Sequence, residues 1–104
     1  MKFRVMQQDI DMADAWRIAR RRYPMPANLP FEFIVISCNC PVAIALQRTL
    51  DRGDIQTAYS AAEMDGKEYE LRALGDGPPI AARITDWDNS RGMTPFDAEI
   101  VGID

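Results

Sequence analysis

The chain has 104 residues, 47% of them hydrophobic, with 6 Gly, 7 Pro and 2 Cys. That is enough for one core and too little for two, and it excludes collagen-like, low-complexity and disulfide-dense scaffolds. The formal net charge is −4, from 12 Lys and Arg against 16 Asp and Glu with no His, so the commonest neutral-pH proton-transfer group and metal ligand is missing.

No apolar run reaches the ~20 residues that span a bilayer. Met1 to Asp9 turns polar before a signal-peptide core forms. A single cytoplasmic, membrane-free domain is the expectation. Residues 1–52 carry eight basic and five acidic side chains, and residues 53–104 four basic and eleven acidic. A polarised molecule follows if the halves do not fold across each other. An acidic face repels nucleic acid and steers toward a basic protein surface.

Residues 2–7 alternate, with Phe3 and Val5 on one side, and predict a short half-buried strand. Asp9 or Asp11 then offers an N-cap. Met12, Trp16, Ala19 and Tyr23 form one apolar stripe of a helix over about 11–23, with Trp16 expected in the core. Arg20, Arg21 and Arg22 suit the negative end of its dipole, and Pro24 and Pro26 end it. Phe31 to Ser37 reads as a central strand. Pro41 takes the first position of the next helix, Val42, Ala45, Leu46, Thr49 and Leu50 form its stripe, and Gly53 stops it.

Ile55 to Met64 alternates, Asp65-Gly66 is a two-residue hairpin signal, and Lys67 to Leu74 alternates again. A helix capped by Asp65 is the rival reading of 67–74. Gly75 to Pro79 is a turn, and Ile80 to Trp87 reads as a strand with Ile80, Ala82 and Ile84 on one face. Phe96 to Ile103 reads as a last strand or a short helix capped by Thr94. The fold class is α+β: a β-α-β-α start followed by an antiparallel β-meander, with two helices on one face of a mixed sheet.

Cys38-Asn39-Cys40-Pro41 joins a strand to a helix start, where free backbone N–H groups lower a thiol's pKa. The run Ile36 to Ala43, with Arg48 to Gly53 closing the helix, resembles the glutaredoxin-like branch of the thioredoxin fold. Cys40-Pro41-Val42-Ala43 would match that family's Cys-Pro-x-Cys, with Ala43 in place of the second cysteine. Pro79 would match the proline before its third strand. The resemblance implies thiol redox chemistry at Cys40, with Cys38 beside it.

No other catalytic set is complete. Without His, two Cys make no closed zinc site, and Asp86 with Asp88 supplies only two ligands for a hard cation. No metal or cofactor is expected. Trp87 with Asp86, Asp88 and Arg91 has the composition of a protein-contact edge, although a core position for the Trp competes with that reading. The expected function is a small acidic non-catalytic interaction protein that binds a basic protein surface and no nucleic acid. One version is a phage or mobile-element inhibitor of the anti-CRISPR type. Its contact residues are Asp86, Trp87, Asp88, Arg91, Glu63, Glu68 and Glu70. The alternatives are the glutaredoxin-like thiol protein and a structural subunit of a larger assembly.

Overall fold

Lys2 to Val5 alternates exposed and buried, and the other strands repeat that pattern, so the sheet has one core face and one polar face. The computed structural model describes residues 1–22, 39–58 and 60–103, with backbone alone for 19–22. The order is β1 (Lys2–Val5), α1 (Gln7–Arg22), α2 (Pro41–Leu50), β2 (Gln56–Ala58), β3 (Ala61–Met64), β4 (Lys67–Ala73), α3 (Ile80–Asp88) and β5 (Phe96–Ile100). The strands form one sheet in the order β1-β5-β4-β3-β2, and every pairing is antiparallel.

The α+β class, strand then helix at the start, is therefore as expected. Among the described residues there are three helices rather than the expected two, and the sheet is antiparallel rather than mixed. The expected strand at Phe31–Ser37 lies outside them. Because β1 pairs with β5, the two halves of the chain do fold across each other. The basic Arg4 ion-pairs with the acidic Asp97 at 2.9 Å, so charge is not divided by halves.

Phe3, Val5, Leu71, Phe96, Ala98 and Ile100 point to the core face, where they join one cluster with residues of all three helices. At its centre lies the first half of α2, where Pro41 to Leu46 are all buried. A helix buried all round needs apolar and small residues on every face, which Pro-Val-Ala-Ile-Ala-Leu supplies. Its C-cap is Asp51, in the left-handed region at φ 52°, rather than the expected Gly53.

α1 starts earlier than its apolar stripe suggested and turns a different face inward. Asp9 is not its N-cap. It sits in the first turn and accepts from the Met6 N–H at 2.8 Å, the reciprocal half of a capping box. The inward line is Asp9, Ile10, Ala13, Asp14 and Arg17. Trp16 is 50% exposed and Met12 55%, so the expectation of a buried Trp16 is overturned. The inner face is polar because it makes specific bonds. Asp14 Oδ1 accepts from Trp87 Nε1 at 2.8 Å, and Arg17 donates to the Trp87 and Asp88 carbonyls and, at 3.1 Å, to Ser90 Oγ. Arg17 thereby satisfies carbonyls at the end of α3 from a neighbouring helix.

Ile80 to Asp88 is a helix, not a strand. Ile80, Ile84 and Trp87 are its buried residues, a spacing of i, i+4 and i+7 that the alternation of Ile80, Ala82 and Ile84 concealed. Pro79 is its N-cap, so it does not precede a strand as the glutaredoxin-like resemblance requires. The hairpin at Asp65-Gly66 forms as expected. Both residues have positive φ, 53° and 76°, as a type I′ turn needs. Ile55–Met64, read as one alternating run, breaks into two strands that pair with each other, and Phe96–Ile100 is a strand.

Among the described residues, no helix is long and apolar enough to cross a membrane.

Candidate functional site

The open face of the sheet carries the side chains that alternate with the core. Most of its charges pair. Arg4 meets Asp97, Arg72 meets Glu70 at 3.1 Å along β4, and Lys2, Glu99 and Arg72 occupy one row across three strands. Glu63 and Glu68 break this pattern. The two-residue turn fixes the β3–β4 register so that they stand directly opposite each other. Both are exposed, and among the described residues no ion pair reaches either one. Gln56 completes their row on β2. Glu70 lies one pleat along the same face of β4, so the three glutamates singled out by composition come together.

The other expected contact residues do not join them. Asp86, Trp87 and Asp88 end α3, which packs on the core side of the sheet. Trp87 is 1% exposed, its ring covered by the Arg17 guanidinium at 4.8 Å and its N–H taken by Asp14. It is a core residue, not an exposed contact edge. Arg91 turns back to Asp86 at 3.4 Å. Asp86 and Asp88, two apart on a helix rather than on a strand, point to different sides. Among the described residues no group of three His, Cys, Asp or Glu side chains could hold a metal ion.

Cys40 is the N-cap of α2, and Cys38 lies outside the described residues. The Cys40 sulfur is fully buried, accepts from the Ala43 N–H at 3.4 Å and contacts Thr57 Oγ1 at 3.0 Å. Thiol exchange needs an in-line approach to sulfur, and this sulfur is covered. A groove of about 630 Å³ between α1 and the end of α2 includes Met12, Ile44, Arg48 and Arg52. Its arginines are already engaged, Arg48 with Asp9 at 2.9 Å and Arg52 with Asp54 and Asp65 at 2.6 and 2.8 Å. Those partners hold the Asp54 and Asp65 carboxyls below their ordinary pKa, chiefly through the hydrogen bonds from Arg52.

Sequence reasoning missed two features. The Glu63–Glu68 opposition was derivable, since a two-residue turn at 65–66 places 63 across from 68. The outward turn of Met12 and Trp16 was not, because hydrophobicity alone selects the apolar stripe as the inner face. No family model, no curated protein and no solved structure matches the chain.

Proposed function

We propose that this is a non-catalytic interaction protein that binds a basic protein surface through the open face of the β3–β4 hairpin. The observation that carries the reading is the Glu63–Glu68 pair. Like charges directly opposite across an antiparallel pair destabilise a sheet. Here the pair stands on a face whose other charges are mostly compensated, and Glu70 lies beside it. A cationic surface laid on this hairpin relieves that repulsion, so the charge lost to stability returns as binding. The same charge disfavours direct contact with nucleic acid. A cytoplasmic setting and inhibition of a nucleic-acid-binding protein by covering its basic surface are the version of this reading that the acidic face suits.

The test compares wild type with Glu63→Gln/Glu68→Gln as baits in a native lysate, read by quantitative mass spectrometry. A partner with a basic contact surface should be retained by wild type at low salt and lost by the double variant. Glu68→Gln alone should raise stability slightly in urea at low salt. A partner held equally by both baits, or a Glu68→Gln protein less stable than wild type, contradicts the assignment of this face.

A further inference from the structure

We propose that Asp76–Gly77 is a site of spontaneous backbone isomerisation to isoaspartate, and that the Arg52 guanidinium exempts Asp65–Gly66, the other Asp-Gly pair of the chain. The reaction is internal and needs only water. The Gly nitrogen attacks the Asp Cγ, and the new N–Cγ bond closes a five-membered succinimide. One carboxyl oxygen leaves as water, taking up the amide proton and the acid proton. A second water then opens the ring. Opening at Cγ restores Asp, whereas opening at the backbone carbonyl leaves isoaspartate, with the side-chain methylene carried into the backbone. Glycine favours closure because no Cβ hinders its nitrogen and its backbone turns freely.

Both pairs are exposed, but they are held differently. Asp76 lies in the β4–α3 connection between Gly75 and Gly77, both at positive φ. The N–H of Leu74 is the last to reach β5, donating to the Asp97 carbonyl at 2.9 Å. Among the described residues no hydrogen bond or ion pair reaches the Asp76 carboxylate.

Asp65 opens a two-residue turn closed by the Met64–Lys67 pair, with Glu63–Glu68 behind it. Its carboxylate accepts from Arg52 Nη2 at 2.8 Å and Nη1 at 3.1 Å. The same guanidinium is braced by Asp54, at 2.6 Å from both Nε and Nη2. Swinging Cγ onto the Gly66 nitrogen therefore breaks two charge-assisted bonds. The Arg52 hydrogen bonds, then its charge, also hold the Asp65 carboxyl below its ordinary pKa, with Lys67 helping and the Asp54 charge opposing. A carboxylate is a far poorer target for the nitrogen than the neutral acid. The difference matters to the hairpin, because one added methylene in a two-residue turn would undo the register that opposes Glu63 and Glu68. The longer β4–α3 connection absorbs it. The chemistry itself involves no partner and stands apart from the proposed function.

The test ages the full chain for several weeks at physiological temperature in mildly acidic buffer. Trypsin then separates the two sites by cutting at Lys67 and Arg72, and electron-transfer mass spectrometry distinguishes isoaspartate from Asp. In folded wild type, isoaspartate should accumulate at position 76 at least about threefold faster than at 65, one pKa unit alone being tenfold in the reactive acid form. In urea the two rates should converge. Arg52→Gln should raise the rate at 65 by about threefold or more and leave that at 76 unchanged. Asp54→Asn loosens the same ion-pair cluster but leaves Arg52 to Asp65, so it should not raise the rate at 65. Asp76→Glu, which would need a six-membered ring, should abolish the signal at 76. A position 76 that gains no more isoaspartate than buried Asp9, or equal rates at 76 and 65 in the folded protein, overturns the site. A rate at 65 that ignores Arg52→Gln, or rises as much with Asp54→Asn, overturns the role of Arg52.

Discussion

Removing Arg48 should cost more than removing the charge of its partner Asp9, because the two side chains are buried unequally. The Asp9 side chain is 2% exposed and that of Arg48 37%. The Asp9 carboxylate accepts three hydrogen bonds, from Met6 N at 2.8 Å and from Arg48 Nε and Nη2 at 3.0 and 2.9 Å. Arg48→Met removes two charge-assisted donors and leaves an ionised carboxylate in the interior with one amide. Breaking a buried pair in this way costs about 3–5 kcal/mol, and the positive end of α1 keeps the figure near the low side. Asp9→Asn keeps an acceptor for the Met6 N–H. It frees a guanidinium that reaches water and still holds the Arg4 carbonyl at 2.9 Å, a loss of about 1–2 kcal/mol. The double variant Asp9→Asn/Arg48→Met carries no stranded charge and should be more stable than Arg48→Met alone. Urea denaturation of all four proteins at pH 7, followed by circular dichroism with a common slope, measures this. An Arg48→Met cost below about 1 kcal/mol, or a double variant weaker than Arg48→Met, would refute the reasoning.

The two tryptophans should separate cleanly. Trp87→Ala should cost about 3–5 kcal/mol as a large-to-small core change, and Trp16→Ala less than about 1 kcal/mol when measured at low micromolar concentration. Arg52→Gln should lower the melting temperature at neutral pH and not in strong acid. Arg52 depresses the Asp54 and Asp65 pKa values in the folded protein, so its stabilisation is present above the ordinary carboxylate value of 3.8 and is lost as pH falls through the lowered folded values. In a Cys38→Ser background, Cys40 should alkylate slowly in native buffer and rapidly in urea. Fast native labelling together with disulfide reductase activity would restore the redox reading.

Much of the fold was legible where local chemistry acts alone. Asp65-Gly66 fixed a hairpin and its register, and hence the Glu63–Glu68 opposition. Cys40-Pro41 marked a helix start, and Phe3 with Val5 marked a strand. Legibility failed where tertiary bonds overrule hydrophobic pattern. α1 turns Asp14 and Arg17 inward because the Trp87 N–H and the carbonyls ending α3 need partners, which leaves Met12 and Trp16 outside. Ile80 to Trp87 fits both periods over so short a run, and length does not separate them. The candidate site was legible by halves for the same reason. Glu63, Glu68 and Glu70 needed only the hairpin register, whereas placing Asp86, Trp87 and Asp88 required knowing that they end a helix on the opposite layer.

The most direct measurement of the central claim is the association rate of the captured partner as a function of salt, for wild type and for Glu63→Lys/Glu68→Lys. Between about 50 and 500 mM salt the Debye length falls from ~14 to ~4 Å. A hairpin that steers a basic surface should lose association rate steeply over that range while its dissociation rate changes little. The charge-reversed protein should associate slowly at low salt and lose the salt dependence. An association rate that is flat in salt, or a charge-reversed protein that associates as fast as wild type, would show that the partner docks elsewhere.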